Sequence, residues 1–196
     1  MIRIAVVGEI GSGKSHIAKQ FGYPVFNADQ EVNILYKKNR QCYKKLKKAL
    51  PNHINSFPIK KNKLSDAVLF NKNNLKKIIK IVHPEIRKKM NIFIKKNKNK
   101  KIIVLDIPLL IENKINKKND VIIFVDAKKK DINKRLKKRP NFNSKIVKKL
   151  KKFQLPIELK KKKSDYVIKN NFKINSVKKN AKSLVKKILL NARSNT

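Results

Sequence analysis

The sequence contains one cysteine, Cys42. A single thiol cannot form a disulfide within the chain or supply a cysteine-rich zinc site, so disulfide frameworks and such zinc sites are excluded. No apolar run approaches the roughly 20 residues that cross a bilayer, and the chain passes from Met1 into an apolar strand pattern without a charged leader. These absences predict a cytoplasmic protein with no membrane association.

Acidic residues are also scarce, at 12 against 53 basic residues, which gives a formal charge of +41. Residues 1–36 are balanced, so the excess lies in residues 37–196 and is diffuse there. Of the basic residues 47 are lysine, accompanied by 24 asparagines, a mixture that favours compositional bias over a nucleic-acid surface. We therefore expect no specific nucleic-acid partner. The positive electrostatic field that this charge produces should still raise the rate of encounter with small polyanionic substrates.

Apolar runs that alternate with helical stretches predict an α/β fold with a five-stranded, mainly parallel sheet flanked by helices. The length of 196 residues suits a single domain, which we expect to be a monomer or a weak homo-oligomer. Residues 37–98 are interpreted as a helical insertion and residues 131–160 as a lid. The predicted strands are residues 2–7, 23–26, 101–105, 121–125 and 166–169, and the predicted helices include 15–21, 41–50, 74–82, 84–95, 131–138 and 144–155.

Residues 8–15 read Gly-Glu-Ile-Gly-Ser-Gly-Lys-Ser, which satisfies G-x-x-x-x-G-K-[ST] between a predicted strand and a predicted helix. The motif predicts a P-loop kinase fold whose backbone amides hold the phosphates of ATP. Lys14 should reach the β- and γ-phosphates and act in catalysis, while Ser15 should ligate Mg²⁺. The predicted ATP-binding residues of the loop are Gly11, Ser12, Gly13, Lys14, Ser15 and His16.

Two aspartates and two arginines outside the loop are candidates for phosphoryl transfer. Asp29 follows the second strand and is either the general base for an alcohol acceptor or a helix N-cap. Asp106 ends the third strand and is either the carboxylate that positions Mg²⁺ or a turn cap. Arg135 and Arg139 lie four residues apart, so they either close on ATP from one helix face or belong to a solvated face. His83 is assigned no role by chemistry alone.

The ordered motifs together resemble the dephospho-coenzyme A kinase family. They are Gly11–Ser15, Asn27-Ala-Asp29, Leu69-Phe70, Val82-His83-Pro84, residues 106–113, residues 134–139, Gln154 and residues 165–171. The resemblance implies ATP- and Mg²⁺-dependent phosphorylation of the ribose 3′-hydroxyl of dephospho-coenzyme A, the last step of coenzyme A synthesis. It also implies that the insertion receives the body of the acceptor.

The resemblance also assigns roles to individual residues. Asp29 becomes the general base, and it contributes to the substrate site with His83, Pro108, Leu109 and Glu112. Arg135, Arg139 and Asn170 belong to the ATP side. The alternatives are another small-molecule P-loop kinase, acting on nucleosides or nucleotides, and a basic nucleic-acid-binding ATPase.

Several positions depart from the family pattern: Glu9 and Phe172 replace glycine, His16 replaces threonine, and Asn27 replaces aspartate. An arginine that is common in the family ahead of Leu69-Phe70 is replaced by one of Lys60, Lys61 or Lys63, which loses bidentate geometry. We expect these changes to alter affinity rather than reaction type.

Overall fold

A computed structural model describes residues 1–140 and 142–194. Its strands are β1 (Ile2–Gly8), β2 (Val25–Asn27), β3 (Ile102–Asp106), β4 (Asp120–Asp126) and β5 (Tyr166–Lys169). They form one sheet in the order β2-β3-β1-β4-β5, with every neighbouring pair parallel. The predicted five-stranded parallel sheet is therefore confirmed.

Helices cover both faces of this sheet. Successive side chains of β1 point to opposite faces, so they pack against helices on both sides. The helices are α1 (Lys14–Gln20), α2 (Ala28–Lys38), α3 (Arg40–Ala49), α4 (Lys61–Phe70), α5 (Lys72–Lys96), α6 (Lys129–Lys137), α7 (Ser144–Lys151), α8 (Ile157–Lys162) and α9 (Ile174–Ser194). Ile4 and Val6 join a buried cluster with α1 and α9. Ala5 and Val7 join a second cluster with α2, α3, α4 and α5. The helices of the predicted insertion thus share a core with the sheet.

The structure corrects several predicted helices. Residues 74–82 and 84–95 belong to one helix, α5, which continues through Pro84. Proline removes one backbone hydrogen bond, but buried Val82 and Ile86 on either side keep the helix packed on the core. The sequence analysis did not anticipate α4, α8 or α9. Among the described residues, no helix has the length and apolar character needed to cross a membrane.

The carboxyl ends of all five parallel strands lie at one edge of the sheet. β1 and β3 are neighbours, but the connection after β1 leads to β2 on the β3 side, whereas the connection after β3 leads to β4 on the β1 side. Such a reversal opens a crevice in parallel α/β sheets. Gly8 is aligned with Val125 on one side, and Asn27 is aligned with Asp106 on the other. The P-loop and both candidate carboxylates therefore lie at the same edge.

Candidate active site

The P-loop glycines are required by close packing. Gly11 has φ of 89°, and a Cβ there would lie 2.9 Å from the Cγ of Leu136 in α6. Gly13 has φ of 90°, and a Cβ there would lie 2.3 Å from the Nδ2 of Asn170. Gly13 is also the N-cap of α1 and has no capping side chain. The loop is thus enclosed by α6 and by residue 170, and its amides lie at the start of α1.

Lys14 lies within the loop and contacts the loop's own backbone. Its Nζ donates to the carbonyl oxygens of Glu9 at 2.9 Å and Gly8 at 3.3 Å. Burial lowers the pKa of Lys14 to about 8, while the nearby charges of Asp106 and Asp29 oppose that shift. The ammonium is therefore the main form at neutral pH, and it lies within the electrostatic range of both candidate carboxylates.

Asp106 is buried at the end of β3 and receives hydrogen bonds from Ser15 and Asn27. Burial raises the pKa of Asp106, whereas the Ser15 hydroxyl and the Lys14 ammonium lower it. Asn27 has a second contact, because its Oδ1 accepts from the backbone N–H of Gln30 at 2.8 Å and caps α2. Asp106 therefore lies beside the P-loop in a fixed orientation.

Asp29 is in the first turn of α2 and is exposed. The N-cap of α2 is Asn27, so the alternative that Asp29 caps this helix is wrong. Asp29 and His83 line the same cavity of about 130 Å³, together with Pro108 and Leu109. Burial lowers the pKa of His83, as does the charge of Arg87, so its neutral form is favoured. The structure thus brings four of the five predicted substrate residues together.

Glu112, the fifth, is held by the predicted lid. Its carboxylate pairs with the Nζ of Lys160 at 2.7 Å and accepts from the backbone N–H of Leu155 at 3.0 Å. Lys160 is 3% exposed and lies close enough to Lys14 to lower its pKa. Lys160 is the first of four consecutive lysines, residues 160–163, and was not among the predicted site residues. Since four consecutive lysines look alike in sequence, only the long-range contact with Glu112 distinguishes Lys160.

The two arginines occupy different positions at the end of α6. Arg135 is in the helix, and its Cζ lies 4.5 Å from the ring centroid of Phe172. Arg139 lies two residues beyond the helix, where its backbone N–H donates to the Leu136 carbonyl at 3.1 Å. Both are exposed, and the charge of Arg139 lowers the pKa of Lys14. The predicted lid arginines therefore lie on the P-loop side of the molecule.

The remaining predicted ATP residues lie on either side of the loop. Asn170 is buried, and its Nδ2 donates to the carbonyl oxygen of Ser12 at 2.7 Å. His16 is half-buried in the first turn of α1. A direct contact of either residue with ATP stays a prediction, but Asn170 fixes the loop that would bind it.

A "Dephospho-CoA kinase" family model matches residues 2–176, a span that contains every residue of this site. The chain belongs to the dephospho-CoA kinase family. The "Dephospho-CoA kinase" of Bartonella quintana (strain Toulouse) is 32% identical over 193 residues, covering 96% of this chain and 98% of that protein.

Solved structures share the fold. TT1252 from Thermus thermophilus has a TM-score of 0.73 at 25% identity, covering 95% of this chain and 97% of that chain. The dephospho-CoA kinase from Campylobacter jejuni has a TM-score of 0.62 at 24% identity, covering 95% and 96%. The P-loop kinase fold predicted from the sequence is confirmed.

Within this dephospho-CoA kinase family chain, the unusual residues have specific contacts. The Glu9 carboxylate forms an ion pair with Lys151 of α7, which links the P-loop to the lid. Asn27 caps α2 and also donates to Asp106. Phe172 has φ of 61°, a conformation that glycine adopts more easily. The backbone N–H of His16 donates to the carbonyl oxygen of Gly13 at 3.0 Å.

Proposed function

We propose that this chain transfers the γ-phosphoryl group of ATP to the ribose 3′-hydroxyl of dephospho-coenzyme A. The observation that carries the proposal is the position of the Asp29–His83 cavity beside the P-loop lysine. A kinase needs a phosphate-binding loop and, next to it, a carboxylate that accepts the proton of an acceptor hydroxyl. Membership of the dephospho-CoA kinase family supports the choice of acceptor.

On the donor side, the chain supplies positive charge and backbone amides. Lys14 would turn from the carbonyls of Gly8 and Glu9 toward the β- and γ-phosphates, exchanging neutral partners for anionic ones. Arg139 and Arg135 would reach the same phosphates from the lid side. As negative charge shifts toward ADP during transfer, these cations would stabilise it.

A magnesium ion fits the oxygen donors beside the loop. Ser15 and Asp106 offer a hydroxyl and a carboxylate that already contact each other. Among the described residues no group of three or more histidine, cysteine, aspartate or glutamate side chains could hold a metal, so the remaining ligands would be phosphate oxygens and water. Mg²⁺ normally binds in this way. When bound, the ion would neutralise charge on the phosphates.

Asp29 would act as the general base. Its carboxylate accepts the proton of the 3′-hydroxyl as that oxygen bonds to the γ-phosphorus, and the bond from phosphorus to the bridging oxygen of ADP breaks. Because Asp29 is exposed, its carboxylate is free to approach an incoming hydroxyl. His83, in its favoured neutral form, would hydrogen-bond to the acceptor within the same cavity.

A larger cavity of about 1030 Å³ offers space for the body of the acceptor. It is lined by Asn33 and Lys37 of α2, by residues of α4 and its preceding segment, and by Asn143 and Ile146 at the start of α7. Asn33 lies one turn after Asp29 on α2, so one helix contributes to both cavities. The lysines that line this cavity suit the phosphates of dephospho-coenzyme A.

We also propose that the enzyme acts in the cytoplasm.

Purified protein with Mg²⁺ and ATP should convert dephospho-coenzyme A to coenzyme A, measured as ADP release and as a product one phosphate heavier. Nucleoside monophosphates and nucleosides are the control acceptors, and they should be inert. Turnover of those acceptors without turnover of dephospho-coenzyme A would replace this assignment with a nucleotide or nucleoside kinase. ATP hydrolysis that is stimulated only by nucleic acid would exclude both.

A further inference from the structure

The loop that joins β5 to α9 contains a phenylalanine in a conformation that favours glycine. Phe172 has φ of 61°, within the left-handed region, where a Cβ is sterically disfavoured. A bulky residue is uncommon there, and such strain persists only where surrounding contacts maintain it. The contacts of the Phe172 ring therefore indicate what the residue does.

The ring lies between the P-loop and the lid. On one side, Cε1 of Phe172 is 3.2 Å from the position that a Cβ on Gly13 would occupy. On the other side, the guanidinium carbon of Arg135 lies 4.5 Å from the ring centroid, within the distance at which a cation and an aromatic face attract.

The Phe172 backbone is also tied to the P-loop, through Asn170. Its N–H donates to the Oδ1 of Asn170 at 2.9 Å, and the Nδ2 of Asn170 donates to the Ser12 carbonyl at 2.7 Å. Phe172 is therefore attached to the phosphate-binding loop in two ways, through its backbone by way of Asn170 and through its ring, and the ring also contacts Arg135 of α6.

We propose that Phe172 is a positioning residue, whose ring holds the Arg135 guanidinium beside the P-loop so that it is oriented before the nucleotide polyphosphate arrives. The inference rests on the proposed function, since it assigns Arg135 to the ATP side. The ring is needed to hold Arg135 in place, because α6 also carries four lysines. Their like charges repel an exposed guanidinium toward solvent, and the ring face opposes that repulsion.

The proposal predicts a loss of ATP affinity when the aromatic face is removed. In Phe172→Leu the guanidinium must be ordered during binding, and the dissociation constant for ATP should rise about 3- to 30-fold, the range that one cation–π contact provides. Phe172→Tyr keeps the face and should bind ATP as the unchanged protein does. Phe172→Asn accepts a positive φ without a ring, so it should lose affinity without losing thermal stability.

Calorimetric ATP titration and the thermal midpoint of each variant test the proposal. Arg135→Gln should weaken ATP binding, and adding Phe172→Leu to it should weaken binding no further. Lys130→Gln removes the same charge from an exposed site on α6 and is the matched control. Unchanged ATP affinity in Phe172→Asn and Phe172→Leu would overturn the proposal, and so would fully additive losses in the double variant.

The titration needs no acceptor, so its outcome is separate from that of the proposed function. If Phe172→Leu weakens ATP binding while dephospho-coenzyme A stays unphosphorylated, the assignment of the acceptor fails and the role of Phe172 stands. If coenzyme A forms while all Phe172 variants bind ATP equally, the reverse holds.

Discussion

The donor region and the acceptor region of this enzyme differ in how their polar side chains are paired. The donor region comprises residues 8–15 and helices α6, α7 and α8. Two carboxylates are tied to its lysines, in the Glu9–Lys151 and Glu112–Lys160 pairs, and the Ser12 Oγ of the P-loop is buried without a hydrogen-bond partner among the described residues. The acceptor region comprises α2, α4, α5 and residues 107–110. There Asp29 is exposed, and the Oδ1 of Asn33 is buried without a hydrogen-bond partner among the described residues.

This contrast indicates that the two substrates bind to side chains that differ in how firmly protein contacts already hold them. Groups already held by protein contacts need little ordering when a ligand binds, which favours affinity. A buried polar atom without a partner costs free energy until a ligand satisfies it. We infer that the ion pairs of the donor region are preformed, whereas Asp29 and Asn33 of the acceptor region gain their partners when the acceptor binds.

Removing Lys160 should have the largest effect, because it leaves the Glu112 carboxylate buried and unpaired. The two side chains are only 4% and 11% exposed. We expect Lys160→Met to lower the free energy of unfolding by about 3–5 kcal/mol, measured by urea denaturation. If the donor region is held together as the contrast requires, turnover should fall as well, since α8 would no longer be tied to the segment beside the P-loop.

Two further variants control this experiment. Lys161 pairs with Asp126 at 3.6 Å, but both side chains are 37% exposed, so Lys161→Met should change stability by about 1 kcal/mol or less. Adding Glu112→Gln to Lys160→Met removes the unpaired charge and should restore most of the loss. Equal effects of Lys160→Met and Lys161→Met would show that the buried pair does not stabilise the donor region.

Asp29→Asn should distinguish most clearly between the roles of the acceptor region and the donor region. The amide cannot accept the acceptor's proton, so turnover should fall by a factor on the order of 100 or more. ATP affinity should be nearly unchanged, because the P-loop contacts do not involve this side chain. Steady-state kinetics together with ATP titration measure both quantities. A matching loss of ATP affinity would make Asp29 a structural part of the donor region instead of a base.

The sequence was most informative about the parts of the fold and of the site that depend on a local residue pattern. Apolar runs identified all five strands, and the spacing of the glycines identified the P-loop. Helix α9 was missed although Val177, Ala181, Val185 and Ile188 form a buried stripe, because the lysines between them hide its apolar face. Pro84 suggested a break that core packing overrides.

Within the site, residues that belong to short sequence motifs were easier to predict than residues defined by distant partners. The cavity shared by Asp29 and His83 joins α2 to α5, and their separate motifs pointed to it. Lys160 and the Glu9–Lys151 pair depend on contacts across more than 40 residues, which sequence spacing does not encode. The ring contact between Arg135 and Phe172 spans 37 residues and is likewise not encoded by sequence spacing.

The donor region should also respond to pH. The pKa of Lys14 is lowered by burial to about 8, below the value of an exposed lysine. Bound polyphosphate favours the ammonium, so binding above pH 8 must be accompanied by proton uptake, and the dissociation constant should rise by up to about tenfold per pH unit there. Titrations from pH 7.5 to 9.5 measure this, and Lys14→Arg, which stays charged, should show no such rise. A flat profile for the unchanged protein would place the pKa of Lys14 above this range.

The smallest predicted effect concerns Asn33, and it tests whether the acceptor completes its own region. Asn33 lines the cavity of about 1030 Å³, one turn after Asp29, and its Oδ1 is buried without a hydrogen-bond partner among the described residues. If it accepts a hydrogen bond from dephospho-coenzyme A, Asn33→Leu should raise the KM for that acceptor about 2- to 10-fold, the range of one net hydrogen bond, and leave ATP affinity unchanged. Because the orphan atom is a cost to the free protein, the same variant should not be less stable. A less stable variant with an unchanged KM would mean that Asn33 serves the fold and that the acceptor binds without it.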